Sequence, residues 1–447
     1  MTEVYFSFDT EDYTDPASWD ASVREADLLK KYGVRGNFNV VGYLAREWLR
    51  RGRTDVPQAL KDHDVSFHSL GHSYHPTISE YTDLADYEEA RRRFLALECE
   101  GIGMVKAATG ADEIVAACPP GNNLSYVAMY GYAALGIPLY VGSVFRTERG
   151  NGVWLCNSLH LNYDYSMEKL FIRGASDDVD RYELSSFLDR IAGKKRVVIY
   201  THPNRAIHSA YWDEINYKKG NLHKWGEWEP TPRYPGNETE VFFEKLEALL
   251  AAMQKDERFR FCEMRELRKR AKEKFAARIV EKGQLGDVRR QLNARFGAVR
   301  LPSGTFSPAD CFAAAAHFCH SEESFRPGPV YGFLETPQGV TGPVTLTAAE
   351  VRTLAKTYDP NAFLQTVYTI NGKKIGPADL LFAMLDVAEG KETVVLSPRP
   401  QLPELDGDLA PLAKLRLKNT WVYRDDFEDR YLSDRLRLQS WTIREED

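Results

Sequence analysis

Apolar and polar positions alternate over residues 3–9, the pattern of a strand with two different faces, and give way to helical spacing over 17–32 that stops at Gly33. The change then repeats. A strand is predicted at 34–41 and a helix at 42–51, then a short apolar strand at 65–67 and a charged amphipathic helix at 86–100. Residues 113–117 form the next strand, running into Pro119-Pro120-Gly121, and a helix returns over 124–135. Short strands at 139–141 and 153–156 precede a helix at 182–191. The strongly apolar strand 196–200 runs into Thr201-His202-Pro203, and a helix at 240–253, a strand at 259–262 and a basic helix from Met264 complete the series. About seven strand–helix units in a row predict a closed parallel barrel with helices outside, whose chemistry gathers at the C-terminal ends of the strands.

From about residue 276 the pattern becomes mainly helical. A polar, charged helix is expected over 276–295, and Ser307 caps an Ala-rich helix at 308–317. Further helices are expected at 347–357, 376–388 and 409–417, and Ile370-Asn371-Gly372-Lys373-Lys374-Ile375 reads as a hairpin turn before a helix. The expected organisation is therefore a barrel over 1–275 and a helical module over 276–447, serving as scaffold, binding module or oligomerisation surface.

Composition narrows the function. Two domains suit 447 residues, and 43 % apolar with 28 % charged residues is a globular balance. A net charge of −7 and a pI near 5.9 argue against a nucleic-acid binder. Six scattered cysteines contain no C-x-x-C pair, so neither a zinc knuckle nor a disulfide framework is indicated. The N-terminus enters a strand at once, without a basic stretch and apolar run, and no apolar segment of about eighteen residues is present. The expectation is a cytoplasmic protein with no membrane partner.

The candidate chemistry lies where strands end. Phe8-Asp9-Thr10-Glu11-Asp12 closes the first strand, and Phe67-His68-Ser69-Leu70-Gly71-His72 closes the third. Two imidazoles and a carboxylate at one end of a sheet make a three-ligand site for a divalent metal, with room left for water. A histidine at the end of a buried apolar strand, His202, has little reason to be there unless it meets a partner or performs chemistry. This combination points to a hydrolase.

In these stretches the chain resembles the polysaccharide deacetylases with a NodB homology domain, a carbohydrate esterase family. The matching runs are Ser7-Phe8-Asp9-Thr10-Glu11-Asp12, His68-Ser69-Leu70-Gly71-His72, Cys118-Pro119-Pro120-Gly121, Val153-Trp154-Leu155 and Tyr200-Thr201-His202, in the family's order over residues 3–265. The resemblance implies a distorted (β/α)7 barrel that hydrolyses an acetamido group, or an acetyl ester, on a sugar or polysaccharide. It implies Asp9 as general base, His68 and His72 as metal ligands, and His202 as the acid that protonates the leaving amine. The third ligand is Glu11 or Asp12: strand alternation favours Glu11, while a turn beginning at Thr10 presents Asp12. Pro120, Gly121, Trp154, Tyr200 and Trp212 are the expected substrate contacts, with a backbone N–H near Gly121 stabilising the oxyanion. Zinc suits two histidines and a carboxylate, and Co2+, Ni2+ or Fe2+ would also bind.

Three departures from the pattern matter. Cys118 stands where the family has an arginine that steadies the base, leaving Arg146 or Arg205 as substitutes. His72 is followed by Ser73 rather than proline, so that His75, before Pro76, competes as a ligand. Tyr200 replaces a leucine and narrows or polarises the acetyl pocket. The aromatic stretch from Arg205 to Tyr234, including Tyr211, Trp212, Tyr217, Trp225 and Trp228, either stacks on sugar rings or packs as a loop over the barrel. His160, His317 and His320 read as structural. Residues 369–381 are similar to repeats that bind cell-wall polymers such as pseudomurein. Two rivals remain open: a metal-independent C–N hydrolase of allantoinase-like type, and a catalytically silent carbohydrate-binding protein.

Overall fold

The computed structural model describes the chain except residues 122, 143, 146, 173–178, 180–181, 418–421 and 447. It is a mixed α/β molecule of two compact units. The first comprises Met1–Asn151, His160–Lys269 and Arg416–Leu432, and the second Gly152–Leu159, Arg270–Leu415 and Ser433–Asp447. The division is thus not a single cut near residue 275. Trp154 is buried against Phe275 and the Arg444 guanidinium, and the Cys156 N–H donates to the Thr442 hydroxyl at 2.9 Å, which ties that short segment to the second unit. Residues of 416–432 are captured by the first unit. Asp83 accepts from the backbone N–H groups of Arg430, Tyr431 and Leu432, and Glu80 from that of Arg424.

The first unit is built around β1 (Thr2–Thr10), which pairs in parallel with β2 (Asn37–Val40) and with the strand Arg196–Thr201. β3 (Asp64–Phe67) extends the sheet beyond β2, and Tyr165–Ser166 and Phe259–Phe261 complete its six strands. Beyond β3 the parallel order continues among the described residues only as single bridges, Phe67 to Ala117 and Ala117 to Tyr140. The expected strand at 113–117 is reduced to these bridges, and no continuous seven-stranded ring is traced among the described residues.

Register decides what lies inside. Asp9 stands opposite Asn39 and Asn39 opposite Ser66, while Phe8, Phe38 and Val65 form the adjoining row. Successive side chains point to opposite faces, so Ser7, Asp9, Asn37, Asn39 and Ser66 share one buried face. Phe8 and Phe38 stack at 4.7 Å on the other, and burying each contributes roughly 1.5–3 kcal/mol. A buried polar face within a parallel sheet is costly unless its groups bond one another. Here they do.

In the second unit the helical expectation needs two corrections. The helix predicted over 276–295 is broken: Met264–Ala277 ends where Arg278 turns inward to Asp310, and Leu285–Ala294 begins after a capping box between Glu281 and Gln284. The helix predicted at 409–417 shrinks to Ala410–Ala413. The unit also carries a duplication. Hairpin Val299–Leu301/Gly304–Phe306 leads into helix Pro308–Phe318, and hairpin Tyr368–Ile370/Lys373–Ile375 leads into helix Pro377–Ala388. Both helices start Pro-Ala-Asp, with the aspartate, Asp310 or Asp379, accepting from the backbone N–H of the capping residue.

Candidate metal centre

Helix α2 (Gly42–Arg50) builds the floor of the site. Its N-cap, Val41, has no side chain able to satisfy the first-turn N–H groups, which instead donate to the loop after β3: Gly42 N–H to the Ser69 carbonyl at 3.0 Å and Tyr43 N–H to the Leu70 carbonyl at 2.9 Å. A side chain at Gly42 would put Cβ 2.8 Å from the Gly101 Cα, so this approach requires glycine. The loop is tightly curled. Ser69 (φ 69°) and His72 (φ 56°) both adopt the left-handed region, a cost that surrounding contacts must repay. The buried Glu98 carboxylate helps by accepting from Leu70 N–H at 3.3 Å, and the Ser69 hydroxyl accepts from His72 N–H at 3.0 Å.

The curl brings both histidines to the end of β1. Glu11 Oε2 lies 2.8 Å from His72 Nε2 and 3.3 Å from His68 Nε2, and one ligand atom from each of the three residues lies within 4.8 Å of the others. All three are buried. Their outer atoms are committed elsewhere: His68 Nδ1 to the Cys118 carbonyl, His72 Nδ1 to Ser73 Oγ at 2.8 Å, and Glu11 Oε1 to the Trp212 indole N–H at 3.0 Å. Ser73 in turn donates to Asp213 at 2.6 Å. With Nδ1 occupied, each ring presents Nε2 inward, the tautomer a metal ligand needs. Burial alone would raise the Glu11 carboxyl pKa, but the facing His72 and His202 outweigh it and hold it well below the usual range. Burial likewise opposes protonation of His72, and the Glu11 charge reverses that effect. This carboxylate is built to stay ionised.

Asp12 does not join the group. Its carboxylate accepts from Thr14 N–H and hydroxyl at 2.8 and 2.6 Å and from the Ser18 hydroxyl at 2.6 Å, anchoring the start of α1 (Pro16–Lys31). Of the two candidate carboxylates, the structure brings only Glu11 to the histidines. Nor does His75 compete: its Nδ1 is bonded to Glu80 at 2.8 Å and its Nε2 faces the Tyr217 carbonyl.

Asp9 and His202 stand beside these three residues. Asp9 Oδ2 lies 3.6 Å from His202 Nε2, and Oδ1 accepts from Asn39 and Tyr163. On its far side, His202 Nδ1 meets Glu168 Oε1 at 3.0 Å, while Thr201 donates to Glu168 Oε2. Burial would lower the His202 pKa, but the charge of Glu168, helped by Glu11 and Asp9, lifts it to about 10. Glu168 is itself held below the ordinary range despite burial, chiefly by His202. At neutral pH the imidazole carries its proton.

The other expected contacts divide. Pro120 and the exposed Gly121 sit on the loop that follows Cys118. Tyr200 stacks on Tyr163 at 4.3 Å and lies edge-on to His202. Trp212 is fully buried, packed on Tyr13 at 4.6 Å, and serves Glu11 rather than a sugar face. Trp154 belongs to the second unit, not to this cluster. Arg205 donates to the His208 carbonyl and covers Tyr211, so it does not steady Asp9, and Arg146 lies outside the described residues. His160 packs on Tyr140, and His317 and His320 bond backbone carbonyls. Trp225 and Trp228 remain half-buried beside an open groove of about 690 Å³ that Thr14, Asp15, Arg50 and Arg51 also line.

Sequence reasoning missed Glu168, Asp213, Tyr163 and Asn39. Asn39 left a trace, two amides in a short strand otherwise apolar. Glu168 and Asp213 lie on five-residue helices with no pattern to mark them.

No helix is long and apolar enough to cross a membrane among the described residues. No protein-family model and no curated protein matches the chain. Solved structures do. One is a Mycobacterium smegmatis protein assigned by inference to the polysaccharide deacetylases, at 13 % identity over 61 % of this chain and 90 % of that one, with a TM-score of 0.41. A peptidoglycan deacetylase of Bacillus subtilis matches at 13 % identity over 65 % and 96 %, TM-score 0.31. A family 4 carbohydrate-esterase pseudoenzyme of Bacillus anthracis matches at 16 % identity over 45 % of this chain and 55 % of its own length, TM-score 0.28. The chain is similar in structure, at low identity and over part of its length, to family 4 carbohydrate-esterase polysaccharide deacetylases.

Proposed function

We propose that the chain is a divalent-metal-dependent hydrolase that removes acetyl groups from an N-acetylated or O-acetylated sugar or polysaccharide. One observation carries the reading: Glu11, His68 and His72 converge within 4.8 Å, with Asp9 and His202 set against each other beside them. Two imidazole nitrogens and one carboxylate oxygen, each braced by a partner on its outer side, suit a zinc-like ion with open coordination positions. Such an ion, when bound by these three residues, supplies Lewis-acid polarisation of the acyl carbonyl and acidifies water.

The chain's own residues supply the proton traffic. Asp9 has Oδ1 engaged by two donors and turns Oδ2 toward His202, where it accepts the proton of the attacking water. His202 keeps its proton at neutral pH because Glu168 lies behind Nδ1, and it delivers a proton from Nε2 to the departing nitrogen or oxygen. The backbone N–H near Gly121 is suited to the developing oxyanion. A sugar chain is accommodated along the groove beside Trp225 and Trp228. The test is acetate release from a panel of acetylated sugars, by zinc-loaded protein and by Asp9→Asn. Release by the wild type that falls at least a hundredfold in the variant is expected. Equal, slow release by both defeats the reading, and full release after complete metal removal favours the metal-independent rival.

A further inference from the structure

The two oxygens of Asp9 are treated differently. Oδ1 accepts from Asn39 Nδ2 at 2.6 Å and from the Tyr163 hydroxyl at 2.7 Å, while Oδ2 has only the longer approach to His202, 3.6 Å, among the described contacts. Two short donors on one oxygen fix the carboxylate plane and leave the other oxygen presented. Neither donor is a cation.

Each donor is itself held. The Asn39 amide oxygen accepts from Asn37 Nδ2 at 2.7 Å and from the Cys118 thiol at 3.0 Å. A flipped amide would turn its own N–H groups toward both, so Asn39 must present nitrogen to Asp9. Asn37 is braced in turn by the Ser66 hydroxyl at 2.5 Å. Tyr163 is aimed differently, its ring lying on Tyr200 at 4.3 Å and 24° between planes. The Asn39 amide also reaches the Tyr163 oxygen at 3.0 Å, which joins the two branches.

We propose that Cys118, Asn39, Tyr163 and Tyr200 form one neutral relay of positioning residues that orients Asp9 for proton abstraction. Cys118 and Tyr200, two departures from the deacetylase pattern, thereby serve a single purpose. The inference rests on Asp9 acting as the base. It assigns none of these four to contact with substrate.

Tyr163→Phe removes one donor and keeps the stack on Tyr200. The expected result is a kcat lowered roughly 10- to 100-fold, with KM and zinc affinity unchanged. Cys118→Ala should lower kcat in the same way, and Cys118→Ser, which restores a donor, should recover most of it. If alanine and serine are equally harmful, or if KM rather than kcat moves, the relay is overturned. A second readout needs no turnover. The infrared S–H band that Cys118→Ala removes should lie at the low frequency of a hydrogen-bonded thiol, and a free-thiol position overturns the relay even in an active enzyme. A hydrogen-bonded band in a protein that releases no acetate would support the relay's geometry and defeat the deacetylase reading alone.

Discussion

Buried charge is handled in opposite ways by the two units. In the second, Arg278 and Asp310 meet at 2.8 Å with both side chains 1 % exposed, and the same Asp310 oxygen also accepts from Ser307 N–H and hydroxyl. The opposite charges match one to one around that oxygen, which also caps a helix, while Asp310 Oδ1 and Arg278 Nη2 stay buried without a hydrogen-bond partner among the described residues. In the first, the single carboxylate of Glu11 faces the inward nitrogens of two imidazoles, and His202 faces a carboxylate on each side. Those groups answer one another only in part. A charge-matched pair needs nothing further to hold a fold together, whereas three ligand atoms gathered at one point have the arrangement that a further ion would take.

The contrast can be broken most forcefully at the ligands. His72→Ala should abolish zinc uptake, measured by titration of the metal-free protein, and reduce kcat/KM for acetate release by about 10³-fold or more, with little loss of stability. The reverse pattern is expected for Arg278→Met. Leaving buried Asp310 with only the more distant Arg444, 3.8 Å away, should cost about 3 kcal/mol in urea unfolding while activity per folded molecule stays unchanged. If Arg278→Met lowers activity as much as stability, the division between the two kinds of burial fails. Trp212→Phe tests a finer point. Loss of the indole N–H to Glu11 should weaken zinc binding about 10- to 100-fold without unfolding the protein.

A further effect is graded with pH, small within any one pH unit. His202 is lifted to about 10 from an ordinary value of 6.5. The stability it confers on metal-free protein is therefore complete below pH 6.5 and drains away as pH climbs toward 10, by at most about 1.4 kcal/mol per pH unit. Thermal unfolding across that window should show the decline, and His202→Gln should flatten it. A slope unchanged by the substitution would place the titration elsewhere.

Much of this was legible in sequence because it rests on pattern. The strand at 3–9, the helix after Gly42 and the apolar strand before His202 follow from periodicity, and they carry Asp9, Glu11, His68, His72 and His202 to neighbouring strand ends. What pattern cannot show is the direction of a single side chain in an irregular stretch. Asp12 and Glu11 are adjacent, and only the turn at Thr14 and Ser18 decides that one caps a helix while the other meets the histidines. Trp212 looked like a sugar platform because tryptophan does both jobs, and burial against Tyr13 separates them. Glu168 carried no signal at all, since a lone glutamate after Ser166 looks like an ordinary first-turn residue.

Residues 416–432 complete the first unit although most of the second precedes them in the chain. Asp83 holds three of their backbone N–H groups, so this part of the first unit is finished by residues that follow 270–415 in the chain. During synthesis the first unit therefore stays incomplete until most of the second has been made.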